Sequence, residues 1–301
     1  MNHQSEPGSV AAPVPLRVQF GRAGYGLLAP AGLWTVAFCL VPVAIILVIS
    51  FATRGVYGGV LSQWTVENYE DLWHPLYARI LGQSLAMAAV TTGLCLLLGY
   101  PIAYYMARLE RKWQAVWLLL IMIPFWTNFL VRTYAWMFIL RTEGLLNTLL
   151  LDAGLISSPI DILYTNGAVL LGLVYGYVPF MVFPLYAVLE RLDWTLLEAA
   201  QDLYATRWAI FRRIVWPLST PGLVAGCVLV FIPSVGAFIT PDLLGGAKSM
   251  MVGNLIQHEY LVARDWPLGS AVASVLLLLV TGGIMLYGLA SDSRMSKGII
   301  R

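Results

Sequence analysis

Residues 195–222 read TLLEAAQDLYATRWAIFRRIVWPLSTPG, a basic amphipathic stretch between two apolar runs at 167–189 and 222–241. An organised, water-compatible segment in that position suits either a docking surface for another protein or an amphipathic loop resting on lipid headgroups. The runs on either side place the chain in the membrane. It is 59% hydrophobic and 11% charged, with a mean hydropathy of +0.76, outside the range of soluble domains. A bilayer is crossed by about 20 apolar residues rising 1.5 Å each. Six runs are long enough: 29–51, 81–106, 116–140, 167–189, 222–241 and 268–289. Backbone amides in lipid must pair within their own segment, so each run is expected to be a helix. Pro42, Pro101, Pro124, Pro179, Pro184 and Pro233 fall inside these runs, where a proline bends a membrane helix without abolishing it.

Loop charge sets the expected orientation. Arg17, Arg22, Arg108, Arg111, Lys112, Arg191, Arg207, Arg212, Arg213, Arg294, Lys297 and Arg301 fall on one side, 12 of the 18 Lys and Arg. Arg54, Arg79, Arg141, Lys248 and Arg264 fall on the other, so the positive-inside rule puts both termini in the cytoplasm. The outer loops carry Glu67, Glu70, Asp71, Glu143, Asp152, Asp161, Asp242, Glu259 and Asp265. That excess of carboxylates reflects either loop solvation with charge-biased insertion or a face that attracts cations. The fold class is therefore an all-α polytopic membrane protein with six transmembrane helices.

The catalytic inventory is nearly empty. His3, His74 and His258 are scattered, and Cys39, Cys95 and Cys227 lie inside spans without metal-ligand spacing. Gly245-Gly246-Ala247-Lys248-Ser249 lacks the glycine that a phosphate loop places before its lysine. No cofactor is expected in this chain; if the protein uses ATP, another chain must hydrolyse it.

Within the loop, Thr195 and Glu198 have the T-x-x-E spacing of a capping box, and Glu198 and Asp202 share a helix face. Thr206 is the expected N-cap of a second helix over 207–215, which Pro217 and Pro221 are expected to stop. In the third run Arg132 is the one ionisable residue central to any span. Facing lipid it would cost at least about 2.5–3.5 kcal/mol, so it is expected to face the bundle interior or water. Asn128 and Trp136 lie one turn to either side, giving a polar and aromatic stripe. The stripe is either a translocation path or a tie between helices, through backbone carbonyls or an acid such as Glu143.

The segment EAAQDLYATRWAIFRRIVWPLSTPG resembles the cytoplasmic signature of the permease subunits of binding-protein-dependent ABC importers: E-A-A, a glycine four residues later, then I-x-x-P. Glu198, Ala199, Ala200, Ile214 and Pro217 match, and Tyr204 stands where the family usually has glycine. A tyrosine there either takes a less bent path or packs its ring on the partner. The resemblance implies that the loop, with Asp202 among its contacts, is the coupling helix that docks on the ATPase. Further segments are similar to the spermidine/putrescine group of polyamine permeases: Phe125-Trp126-Thr127-Asn128 with Val131–Trp136, Tyr177–Met181, Asp242–Gly246 and Arg264–Pro267. The similarity implies a cytoplasmic tail over 1–28, a six-helix permease domain over 29–290 with its coupling loop at 190–221, and a tail over 291–301. It also implies a bacterial inner-membrane location, a second related permease, two ATPase copies and a periplasmic binding protein delivering a small organic cation, with no nucleic acid involved. Trp126, Asn128, Arg132, Tyr134, Trp136 and Tyr177 are the pathway candidates; the aromatic ones, with Tyr175, either attract ammonium groups by their faces or anchor the span ends at the interface, and Asp242 and Asp265 could meet amines at the outer mouth. Ala237 stands where some polyamine permeases carry an acid, which leaves another organic solute open. A stand-alone secondary transporter would show repeats or intramembrane carboxylates, and neither is evident.

Overall fold

The computed structural model describes residues 22–246 and 249–298, with the backbone alone over 22–29, at 31 and over 286–298. Most of the 1–28 tail, Ala247, Lys248 and Arg301 thus lie outside the described residues. The chain divides into two units, 1–45 and 46–301. The first carries most of α1 (Arg22–Ile49), an apolar helix with Pro30 and Pro42 inside it. None of the described side chains from 32 to 45 is buried, as suits a helix solvated by lipid.

In the second unit a hairpin of β1 (Ala52–Arg54) and β2 (Val60–Trp64) leads through α2 (Glu67–Asp71) into α3 (Pro75–Ala107). The two strands are too short and too exposed to leave a mark in the apolar pattern. The chain continues through α4 (Arg111–Trp126), α5 (Phe129–Leu140), α6 (Leu145–Asp152) and α7 (Asn166–Leu189). Next come α8 (Thr195–Asp202), α9 (Arg207–Ile210), a π-helical turn Phe211–Val215 and α10 (Trp216–Val235). A second π-helical turn, Pro241–Gly245, α11 (Val252–Leu261) and α12 (Trp266–Gly298) close the order.

Among the described residues five helices are long and apolar enough to cross a membrane, and α4 with α5–α6 makes a sixth if that bent pair is one span. The third apolar run is therefore not the single helix expected over 116–140, because it bends by 86° between Trp126 and Phe129. Pro124 brings no N–H to the end of α4, and the Thr127 hydroxyl donates to its carbonyl at 2.6 Å. Thr127 is extended, and the Asn128 side chain accepts from the Leu130 amide at 2.8 Å, starting a new helix. The fifth run also shifts: its helix ends at Val235 rather than 241.

The core sits where α3, α7 and α10 cross. Met106, Met181, Leu185, Leu189 and Val230 are fully buried there. Small residues set the spacing. A Cβ at Gly99 would come 3.0 Å from Met181, and one at Gly226 would come 2.7 Å from the Met181 sulfur. Outside the core, Leu97, Leu130, Phe138, Leu278 and Met285 are exposed, the surface of a bundle whose solvent is hydrocarbon.

Candidate functional site

Two regions of the second unit collect the candidate residues: the loop at 190–221 and a cavity beside Arg132.

The loop folds as expected in outline and differently in detail. Helix α8 forms, but the Thr195–Glu198 capping box does not. Trp194 occupies the cap position without a side-chain bond, and Thr195 is the first helical residue. Asp193 supplies the missing acceptor: one of its oxygens takes the Thr195 amide at 3.0 Å and the Thr195 hydroxyl at 2.7 Å. A carboxylate is a stronger acceptor than a hydroxyl, so the start moves upstream. Those two bonds hold the Asp193 carboxyl below its ordinary value.

Helix α8 ends on Tyr204. The Ala205 amide reaches the Ala200 carbonyl at 3.1 Å, and the Tyr204 amide reaches Gln201 at 2.8 Å, the two bonds of a Schellman ending. Its left-handed position, where glycine is usual, is held by Tyr204 at φ +56°. The less bent path is therefore not taken. The tyrosine adopts the glycine geometry and leaves its ring 94% exposed.

Thr206 caps α9 as expected, accepting from the Ala209 amide at 3.3 Å. Pro217 and Pro221, however, do not stop the helix, which runs from Arg207 to Val235. The π-helical turn Phe211–Val215, whose last bond runs from the Trp216 amide to the Phe211 carbonyl, shifts the register just before Pro217, so the missing N–H falls where the i→i−4 ladder is already interrupted.

One face of the loop is anchored. Leu197 and Ile210 enter the main core beside Met106 and Leu189, and Ala200 and Ile214 pack against that cluster half-buried. The other face is bare: Glu198, Ala199, Asp202, Leu203, Tyr204 and Pro217 are all exposed. Beneath the loop an aromatic group that the sequence reading missed ties it to the spans. The Tyr100 ring on α3 lies 5.6 Å from Phe211 and 5.5 Å from Trp216, and its hydroxyl is 2.9 Å from that of Ser219. Leu98-Gly99-Tyr100-Pro101 is, like Asp71–Tyr77, similar to the polyamine permeases, but nothing in the sequence links Tyr100 to the loop.

The second region is a cavity of about 610 Å³ walled by α3, α4, α5 and α7. Arg132 and Trp136 of the candidate stripe line it, together with Tyr175, an expected pathway aromatic, and Phe125, which was not among the pathway candidates. The Arg132 guanidinium lies over the Phe125 and Phe129 rings at 5.4 and 5.6 Å, and Trp136 meets Tyr175 edge-on at 5.3 Å. Arg132 makes no ion pair with a described residue, Glu143 included, and its buried Nε has no hydrogen-bond partner. It is not a tie between helices through carbonyls or an acid.

The remaining candidates lie outside the cavity lining. Asn128 is spent on capping α5, while Trp126 and Tyr134 are exposed. The Tyr177 hydroxyl donates to the Pro233 carbonyl at 3.2 Å, filling one of the free acceptors at the end of α10. Asp242 is exposed in the second π-helical turn. Asp265 caps α12 through the Leu268 amide at 3.0 Å and pairs with Arg54 at 3.5 Å.

An apolar helical bundle that presents a pre-folded, charged loop at one end and an open cavity lined by an unpaired arginine has the parts of a transport component. The comparisons agree: residues 99–296 match the family of binding-protein-dependent transport system inner membrane components, and the chain belongs to it. Within that family it is 46% identical to the spermidine/putrescine transport system permease protein PotB of Haemophilus influenzae, over 84% of this chain and 89% of the relative. To PotB of Escherichia coli (strain K12) it is 45% identical, over 86% of this chain and 94% of the relative. Among solved structures, the bacterial alginate ABC transporter in complex with an alginate pentasaccharide-bound periplasmic protein shares the fold. The TM-score is 0.71 at 17% identity, over 91% of this chain and 94% of that one.

Proposed function

We propose that this chain is the permease subunit of an ATP-driven polyamine importer, with its loop at 190–221 as the docking element for the ATPase. The observation that carries the coupling role is the two-sided loop. Its inner face is fixed in the core through Leu197 and Ile210, while Glu198, Ala199, Asp202 and Tyr204 face outward with no side-chain partner among the described residues. A rigid element with a bare charged face transmits a push from a partner into the spans it is welded to. Here Tyr100, Phe211 and Trp216 make that weld.

In this reading the loop faces the cytoplasm of a bacterium and the spans cross its inner membrane. The complex comprises a second related permease, two ATPase copies and a periplasmic binding protein that delivers spermidine or putrescine. The permease domain occupies 29–290, with cytoplasmic tails at 1–28 and 291–301. Polyamine as the solute rests on the similarity to the two PotB proteins. The aromatic walls of the cavity suit ammonium groups at about 0.5–2 kcal/mol per contact. Arg132 among them disfavours a cation lodging there, which speeds release rather than binding.

A second solute class is favoured by one observation: Arg132 is an unpaired cation in a cavity without a carboxylate, an arrangement that suits an anionic organic solute. Uptake of labelled spermidine and putrescine decides between them, in cells lacking their own polyamine import and expressing this chain with its partner subunits. Accumulation of either supports the polyamine reading; none, with every subunit in the membrane, rejects it.

A further inference from the structure

Helix α3 ends at Ala107, and its C-cap residue Arg108 folds back onto two rings. The guanidinium lies 4.5 Å from the centre of Tyr104 and 5.1 Å from that of Trp194, and these rings stand edge-on, 6.0 Å apart. Arg108 thereby lines a cavity of about 460 Å³ whose wall also includes Arg207, Gln201 and Tyr104. Leu197, Ile210 and Phe211 complete the lining with apolar surface. No carboxylate belongs to that lining. Neither Arg108 nor Arg207 makes an ion pair or side-chain hydrogen bond with any described residue. Glu198 shares a neighbouring cavity with Arg108 without pairing to it.

Two guanidiniums around one cavity repel each other unless an anion joins them. Arg108 is held by the rings, so little side-chain freedom is lost when it binds. Planar guanidinium forks match the oxygens of a phosphate better than those of a spherical ion. The surroundings indicate which phosphate. Trp194, the exposed Trp208 and the exposed Trp216 flank the cavity, and tryptophan gathers at the headgroup level of a bilayer. Basic pockets at the cytoplasmic ends of membrane helices take phospholipid headgroups. The apolar half of the lining suits the glycerol and first methylenes that follow such a headgroup.

We propose that this cavity binds the phosphate of an anionic phospholipid of the cytoplasmic leaflet, with Arg108 and Arg207 as its ligands. The lipid would brace the end of α3 against the loop at 190–221, so that membrane charge tunes coupling. The proposal rests on the cytoplasmic orientation given above.

The test uses the assembled complex in nanodiscs of phosphatidylcholine with and without phosphatidylglycerol, read by native mass spectrometry. The wild type is expected to retain phosphatidylglycerol. The Arg108→Gln/Arg207→Gln variant should retain several-fold less at unchanged recovery in phosphatidylcholine, and the lysine pair an intermediate amount. Arg79→Gln, an exposed arginine at the other end of α3, should match the wild type. Equal retention in the glutamine pair overturns the proposal, as does equal loss in Arg79→Gln. Displacement by inorganic phosphate at low millimolar concentration also overturns it, because the cavity then serves a soluble anion. Orientation is read separately: an Arg191→Cys reporter, at the exposed start of the loop and outside the cavity, in a cysteine-free background should resist a membrane-impermeant thiol reagent in intact cells and react once they are permeabilised. Labelling in intact cells would overturn the orientation, and with it the assignment to the cytoplasmic leaflet.

Discussion

The hydroxyls of Tyr100 on α3 and Ser219 on α10 lie 2.9 Å apart, buried directly behind the loop that carries Glu198. Ser219 also donates to the Trp216 carbonyl at 3.0 Å, so the two residues are not equivalent partners. In Tyr100→Phe the serine keeps the carbonyl, and the loss should be about 0.5–1.5 kcal/mol. In Ser219→Ala the tyrosine hydroxyl is left buried and unpaired, at about 1–3 kcal/mol. Thermal unfolding of the purified protein should therefore rank Ser219→Ala below Tyr100→Phe, although each removes one hydroxyl.

Two glycines at the crossing of α7 and α10 should respond differently to one added methyl. At Gly222 it would meet the Pro184 carbonyl oxygen at 2.7 Å, which is backbone and cannot swing away. At Gly226 its nearest neighbour is the Met181 sulfur at 2.7 Å, the flexible part of a side chain. Gly222→Ala is expected to cost the full overpacking penalty of about 1–3 kcal/mol, and Gly226→Ala less. Melting temperatures of the two variants give the ranking.

Tyr204 occupies a left-handed position at a cost of about 1 kcal/mol relative to glycine. Tyr204→Gly should therefore slow hydrogen exchange at residues 204 and 205, whereas Tyr204→Ala should not. If the exposed ring contacts the ATPase, the glycine variant will couple less well in spite of its firmer loop.

The start of α8 depends on an ionised Asp193. Its carboxyl sits below the ordinary carboxylate value because Thr195 donates to it twice. A depressed acid contributes above its unfolded value and loses that contribution as pH falls through the folded one. Protection of the Thr195 amide should thus be flat from about pH 6 to 8 and fall only below the usual range near 4. Asp193→Ala should remove the protection at every pH.

The spans were legible because each is a long apolar run, and lipid leaves such a run no alternative to a helix. What was not legible depends on single polar atoms. Asn128 in the third run reads as one residue of a stripe facing Arg132. Only the structure shows its oxygen turned to the Leu130 amide, which breaks the run in two. Thr195 and Glu198 have the right spacing for a capping box, but Asp193, two residues upstream, outcompetes the hydroxyl. Pro217 reads as a stop because a proline inside a helix usually is one, yet the π-helical turn before it shifts the hydrogen-bond register so that its missing N–H is tolerated. Of the pathway candidates, Arg132 and Trp136 share a cavity, while Tyr177 and Asp265 are engaged in holding helix ends. A residue type shows what a side chain can do; its nearest acceptor determines what it does.

The central claim is that the bare face of the loop drives transport through a partner ATPase. The most direct measurement is polyamine uptake with Glu198→Lys beside the wild type, both assembled with their partner subunits and matched for membrane abundance. The Glu198 side chain is exposed and bonds to no described residue, so the substitution should leave folding intact. Uptake should fall to background while the permease remains in the membrane, because a carboxylate that meets a basic groove becomes a like charge. Undiminished uptake at normal abundance would contradict the docking role of the loop.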